Sequence, residues 1–332
     1  MHILLTGGLG YIGSHTAVEL LNQGYDIVIV DDLSNSQIET VDKIKQITGR
    51  DFCFIQADLK DYQATDDIFE SHNISAVIHF AGYKAVGESV RIPIAYYENN
   101  LMSTINLLKC MEKYGVNNFV FSSSATVYGT NDTMPLREDY PTGATNPYGR
   151  TKLFIEEILK DAQVANPQLN IAILRYFNPI GAHPSALIGE NPNGIPNNLM
   201  PYITRVATGK LAELSIFGND YPTKDGTGVR DYIHVCDLAM GHVLALKKLD
   251  EKPGVFICNL GTGNGYSVLE IVNTFNEVNG DLVKYRFTAR RPGDIAICYA
   301  DTTKAKQELN FTAKHSLRDM CRSSYEFEKN NK

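Results

Sequence analysis

Thr6-Gly7-Gly8-Leu9-Gly10-Tyr11-Ile12-Gly13 follows the apolar run 3–6 without a break and leads into a helical pattern. Two glycine registers are satisfied at once, Gly8-x-Gly10-x-x-Gly13 and the wider Gly7-x-x-Gly10-x-x-Gly13. Both serve one purpose. Without a Cβ the backbone can approach a pyrophosphate, which then rests on the positive end of a helix dipole. Asp31 closes the next apolar run, where a carboxylate can accept hydrogen bonds from an adenosine ribose and repel a 2′-phosphate. No arginine lies between Asp31 and Lys43, so the pattern favours NAD over NADP. A glycine triplet alone is a weak signal, but strand, turn, helix and terminal acid in this order are specific.

Outward from that turn, short runs rich in β-branched and aromatic residues recur at 3–6, 27–30, 52–55, 76–80, 118–122 and 171–175, with helix-length segments between them. They are apolar almost throughout, as parallel strands buried on both faces must be. The expected fold is therefore α/β, a Rossmann-type doubly wound parallel sheet with right-handed crossovers. Helices are expected at 15–22, 96–114 and 148–164, with Gly115 as the C-cap of the second. Residues 178–201 turn to Asn, Pro and Gly, the chemistry of a long functional loop. The change marks a boundary between a NAD-binding domain at 1–176 and a smaller α/β substrate domain at 177–332, with a return to the first within 230–262.

At 332 residues the chain exceeds the usual size of a single core. A net charge of -7 and the lack of any basic run argue against a nucleic-acid backbone as partner. Met1-His2-Ile3-Leu4-Leu5-Thr6-Gly7 has no basic region or apolar stretch ahead of its glycine turn, so no signal peptide is expected, and no apolar run approaches a membrane span. Cys53, Cys110, Cys236, Cys258, Cys298 and Cys321 lack C-x-x-C spacing, which favours reduced thiols in a cytoplasmic protein over disulfides or a metal.

Chemistry is suggested by Tyr148-Gly149-Arg150-Thr151-Lys152 at a helix start, downstream of Ser122-Ser123-Ser124. Side chains at i and i+4 share a helix face, so the Lys152 ammonium can lie near the Tyr148 phenol and lower its proton affinity from the usual pKa of about 10. A phenolate near neutral pH is a usable base. Ser122 and Ser123 read as serines bonded to backbone at a strand end.

Longer stretches then carry a resemblance: Gly7 to Ala17, His79-Phe80-Ala81-Gly82-Tyr83-Lys84-Ala85-Val86-Gly87-Glu88-Ser89, Phe121 to Gly129, Arg175 to His183, Ile195 to Tyr202 and Gly226 to Val235. Nearly the whole chain resembles the UDP-glucose 4-epimerases, extended short-chain dehydrogenases/reductases that share the wider glycine spacing. The resemblance implies inversion at sugar C4 through a 4-keto intermediate and transient NADH. Tyr148 would be the base, Lys152 would tune it and hold the nicotinamide ribose, and Ser124 would relay or position the hydroxyl proton. NAD contacts are implied for Gly7, Gly10, Tyr11, Ile12, Gly13, Asp31, Asn35, Asp58, Leu59, Phe80, Ala81, Lys84, Asn99, Ser124, Tyr148, Lys152 and Tyr176. A homodimer paired through the helices at 96–114 and 148–164 is implied as well.

For a UDP-sugar the resemblance implies Arg230 and Arg291 on the phosphates and Asp294 on the uridine ribose, with Asn178, Asn198, Leu199, Phe217, Ser124 and Tyr148 lining the rest. Cys298 departs from the bulky tyrosine that glucose- and galactose-restricted members carry there, and a cysteine leaves room for a sugar N-acetyl group. UDP-GlcNAc and UDP-GalNAc are therefore expected substrates too. Competing readings are a nucleotide-sugar 4,6-dehydratase or decarboxylase, and a non-catalytic NAD-binding protein. A dehydratase needs an extra acid/base pair after the serine, and Ser124-Ala125-Thr126 supplies none. The triad residues all remain, against a non-catalytic protein.

Overall fold

A computed structural model describes every residue except 195, 197, 252–253, 292–293 and 332. In chain order the first elements are β1 (His2–Thr6), α1 (Tyr11–Asn22), β2 (Asp26–Asp31), α2 (Thr40–Thr48), β3 (Cys53–Gln56), α3 (Tyr62–Ser71) and β4 (Ile74–His79). Next come α4 (Val86–Arg91), α5 (Pro93–Tyr114), β5 (Asn118–Ser124), a 3-10 turn (Ala125–Tyr128), α6 (Pro147–Ala165) and β6 (Asn170–Tyr176). The middle holds β7 (Asn178–Ile180), α7 (Leu199–Ala207), β8 (Leu214–Phe217), β9 (Val229–His234) and α8 (Val235–Glu251). The remainder is β10 (Gly254–Leu260), β11 (Gly265–Ser267), α9 (Val268–Asn279), β12 (Tyr285–Thr288), β13 (Ile297–Cys298), α10 (Thr303–Glu308) and α11 (Leu317–Asn330).

Two units follow from this order. One contains Met1–Thr130, Tyr140–Tyr176 and Ala239–Cys258; the other contains Asn131–Asp139, Phe177–Leu238 and Asn259–Lys332. The first is built on a seven-stranded sheet in the order β10-β6-β5-β4-β1-β2-β3. Every pairing from β3 across to β6 is parallel, so the six apolar runs are the strands of a Rossmann-type sheet, buried except for β3 at its edge. Leu4, Val28, Val77, Phe119, Phe121 and Ile171 from these strands pack into one core with Leu107 and Met111 of α5 and Ile155 and Leu159 of α6.

Helix ends obey local chemistry. Asn146 caps α6 by accepting from the Gly149 N–H, with Pro147 in the first turn, where no intrahelical donor is needed. Gly115 ends α5 in the left-handed region at φ 69°. α1 begins at Tyr11, a turn earlier than the pattern from residue 15 suggests, because the glycine turn itself winds into the helix.

In the second unit β9 is paired antiparallel with β11 and parallel with β13 and β7, and a separate parallel pair joins β8 to β12. Ile180, Ile203, Ile216, Ile271, Phe275 and Met320 form its core. The stretch at 178–201 is not loop throughout: residues 178–180 form β7 because their backbone completes the edge of β9. Among the described residues no helix is long and apolar enough to cross a membrane.

Candidate active site

The glycine turn between β1 and α1 settles which register shapes the backbone. Gly7 stands at φ +65°, and a Cβ there would lie 2.7 Å from the Ala81 nitrogen at the end of β4. A Cβ on Gly13 would lie 2.4 Å from the Gly7 carbonyl oxygen, while Gly8 packs on Ile29 of β2. Gly7, Gly10 and Gly13 thus form the turn, with the Gly10 N–H donating to the Gly7 carbonyl at 3.1 Å. No acidic residue occupies the first turn of α1, so its positive end is not neutralised.

Asp31 ends β2 beside this turn and is buried. Its carboxylate accepts from the Leu9 N–H at 3.1 Å, the Leu33 N–H at 3.0 Å and the Ser36 hydroxyl at 2.6 Å. Burial raises its proton affinity, and these three donors oppose that. A carboxylate has about four acceptor positions, so capacity remains for a ribose hydroxyl. A cradle that a Cβ would fill and an acid at the sheet edge are together the donor and acceptor set that fits NAD.

The other sequence-indicated residues of this unit are spread along the same sheet edge. Asn35 is exposed in the turn after β2, and Asp58 is exposed after β3, where it accepts from the Lys60 N–H at 2.9 Å. Leu59 is buried in the core, which leaves its backbone as the group available to a ligand. Phe80 and Ala81 follow β4, with the Phe80 ring 4.8 Å from His242. Lys84 is exposed in the next loop. Asn99 donates to the Asn100 side chain at 3.1 Å. Asn100 then fixes that loop by bonding the Tyr83 N–H and carbonyl and the Thr151 hydroxyl. Tyr11 and Ile12 open α1 and are half-buried.

Tyr148, Ser124, Tyr176 and Lys152 come together on α6 and the ends of β5 and β6. Tyr148 is 5% exposed and its hydroxyl is bonded by those of Ser124 and Tyr176. Burial raises the phenol's pKa, and the two hydroxyls pull it back. Lys152 is also 5% exposed; its Nζ donates to the Ser122 carbonyl at 2.8 Å and lies 4.8 Å from the centre of the Phe121 ring. Burial lowers its pKa to about 8, opposed by Glu156. The spacing alone suggests that Lys152 acidifies Tyr148; here the two hydroxyls oppose the effect of burial without overcoming it, and the ammonium donates to the Ser122 carbonyl.

In the second unit, Arg291 lies over the Phe217 ring at 4.9 Å and donates from Nε to Asp294 at 2.9 Å. Residues 292 and 293 of that motif lie outside the described residues. Arg230 on β9 is the register partner of Cys298 on β13, and its Nη1 donates to the Val229 carbonyl at 2.8 Å. Cys298 is buried, and burial pushes its thiol up to about 11. Asn178 is exposed at the start of β7. Asn198, at the N-cap of α7, gives its side chain to Glu190 instead of the helix, and Leu199 begins that helix; residues 195 and 197 of the motif lie outside the described residues. Among the described residues no cluster of three or more His, Cys, Asp or Glu could hold a metal ion.

A family model described as GDP-mannose 4,6 dehydratase matches residues 4–324. UDP-glucose 4-epimerase of Bacillus subtilis is 62% identical over 331 residues, covering 100% of this chain and 98% of that protein. The chain belongs to the UDP-glucose 4-epimerase family. A solved UDP-glucose 4-epimerase from Bifidobacterium longum in complex with NAD+ and UDP superposes with TM-score 0.97 at 52% identity, covering 100% of this chain and 99% of that one. A UDP-Glc/GlcNAc 4-epimerase from Campylobacter jejuni superposes with TM-score 0.87 at 38% identity, with 99% of each chain covered.

The epimerase assignment and the dehydratase name of the family model part company at the end of β5. Ala125 carries no acid or base, and the Thr126 hydroxyl donates to Ser124 Oγ at 3.0 Å. Sequence reading also missed side-chain partners next to this candidate site. Ser123 is not bonded to backbone but donates to Glu156 at 2.6 Å, and the Ser122 hydroxyl meets His242 at 3.2 Å. Glu156 had one available signal, a carboxylate a further turn along the helix face that carries Tyr148 and Lys152.

Proposed function

We propose that this UDP-glucose 4-epimerase interconverts UDP-glucose and UDP-galactose at the Tyr148 hydroxyl, by removing and returning the proton of the sugar 4-hydroxyl around a bound 4-keto sugar. The observation that carries the reading is the convergence of Ser124 and Tyr176 on a buried Tyr148, with Lys152 one helical turn away.

NAD is the cofactor; Gly7, Gly10 and Gly13 would hold its pyrophosphate, Asp31 its ribose, and when bound it supplies a reversible hydride acceptor for C4. Tyr148, as the phenolate, accepts the 4-hydroxyl proton on its oxygen. Ser124 and Tyr176 stabilise the phenolate by donating to it, since hydrogen bonds to a charged form favour that form. Lys152 contributes a fixed cation behind the strand end. Its burial and that of Tyr148 exclude water, which strengthens each of these interactions. The keto sugar presents its other face before C4 regains its hydride and the 4-oxygen its proton, so configuration inverts without net oxidation.

UDP is read onto the second unit: Arg230 and Arg291 on phosphates, Asp294 on the ribose, and Asn178, Asn198, Leu199 and Phe217 around them. The arginine stacked on Phe217 supports this, because guanidinium and ring together suit a phosphorylated pyrimidine. The small, buried, un-ionised Cys298 supports acceptance of UDP-GlcNAc and UDP-GalNAc. A homodimer through α5 and α6 is supported by Ile94, 75% exposed, and by the exposed Met102 and Phe154, the latter stacked on Tyr97. Cysteines outside any disulfide support a cytoplasmic location. Offering UDP-galactose without added cofactor and identifying the product tests the reaction; UDP-glucose is expected, and an unsaturated or decarboxylated sugar would overturn it.

A further inference from the structure

Tyr148, Lys152 and Glu156 recur at every fourth position of α6, and all three are buried, Glu156 completely at 0% exposure. The Glu156 carboxylate is enclosed by donors. Ser123 Oγ reaches it at 2.6 Å, Arg175 Nε at 3.1 Å and Arg175 Nη2 at 2.7 Å. Ser123 and Arg175 are themselves register partners on β5 and β6, immediately before Ser124 and Tyr176. Arg175 lies over the Tyr128 ring at 4.8 Å. Removing two charges from water is costly, and apolar replacement of such pairs is often neutral or stabilising. Stability alone therefore gives little reason for an ion pair here, beneath the candidate catalytic residues.

We propose that Glu156, clamped by Arg175 and Ser123, is a positioning residue that keeps Lys152 charged and directed at the end of β5 for the C4 chemistry. The proposal rests on the reading of Lys152 as part of the reaction centre. Lys152 interacts electrostatically with Glu156 of its own helix and His79 of β4, and it donates to the carbonyl of Ser122, whose hydroxyl meets His242 of α8; Arg175 of β6 is paired with Glu156. His79 is buried and neutral, its pKa held at about 3, and Arg175 is spent on Glu156. Glu156 is the anion of this group and the charge that opposes the effect of burial on Lys152. Without it Lys152 would lose its proton at lower pH, and the unmatched Arg175 would push further in that direction.

Glu156→Gln keeps the volume and the acceptor oxygen and removes the charge. In the NAD-loaded enzyme, the Lys152 signal of [ε-13C]lysine-labelled protein, identified by its loss in Lys152→Met, should titrate about one to two pH units lower than in wild type. The alkaline limb of kcat for UDP-galactose should move down by the same amount. Glu156→Asp, which restores the charge, should return both toward wild type. An unshifted Lys152 titration in folded Glu156→Gln overturns the proposal, even if activity falls, because a tether between α6 and the sheet would lower kcat without moving either midpoint. A shifted titration with an unshifted kcat profile leaves Glu156 as the keeper of the Lys152 charge but removes Lys152 from the reaction centre. Should Glu156→Gln not fold, Glu156→Gln with Arg175→Met leaves no unpaired charge, and its Lys152 titration decides by the same criterion.

Discussion

Ser124 and Tyr176 are register partners at the ends of β5 and β6, and their hydroxyls meet at the phenol of Tyr148. Both lower the proton affinity that burial raises, so removing either should raise it. Ser124→Ala and Tyr176→Phe should each shift the acid limb of the kcat profile toward higher pH by about one unit, as expected for loss of a hydrogen bond to a charged group. The double variant should lose less than the sum, because both act on one oxygen. Rate measurements from pH 5 to 9 would show this, and limbs that stay in place would remove the two hydroxyls from the account.

His79 should make the protein sensitive to acid. Its Nδ1 meets the Thr6 hydroxyl at 2.7 Å and its Nε2 the Thr104 hydroxyl at 3.1 Å, and burial, then the Lys152 charge, lowers its pKa to about 3. The unfolded chain binds this proton below pH 6.5, whereas the native state holds out to about 3. The contribution of neutral His79 is complete above pH 6.5 and is lost at about 1.4 kcal/mol per unit as pH falls through that window. Urea unfolding of wild type and His79→Gln across pH 4 to 7 should give stability curves that converge toward acid; parallel curves would contradict the argument.

Cys298→Tyr should act on substrate choice. A phenol in place of a buried thiol beside Arg230 takes up the room assigned to an N-acetyl group. The ratio of kcat/KM for UDP-GalNAc to that for UDP-galactose should fall by more than roughly tenfold. An unchanged ratio would show that the pocket is bounded elsewhere.

Much of the sheet was legible because its strands are continuous apolar runs and its crossover helices carry Pro147 and Gly115 at their ends. That Tyr148 and Lys152 share one face of a helix, and that Ser124 ends a strand, was legible from spacing and composition without tertiary information. What sets their proton affinities was not. That Tyr176 would reach Tyr148 depends on the β5–β6 register, and that Lys152 would turn to the Ser122 carbonyl depends on packing against Phe121. Ser123 illustrates the same limit, since its partner Glu156 is brought to it only by the docking of α6 on the sheet. β7 was hidden because Asn178-Pro179-Ile180 has turn composition and becomes a strand only against β9.

The most direct test is Tyr148→Phe, which keeps the ring and removes the one oxygen on which the account depends. With NAD content verified by absorbance and mass, turnover of UDP-galactose to UDP-glucose should fall on the order of a hundredfold or more. A variant that retains its NAD and epimerises at a rate near that of wild type would contradict the assignment of Tyr148 as the group that takes the 4-hydroxyl proton.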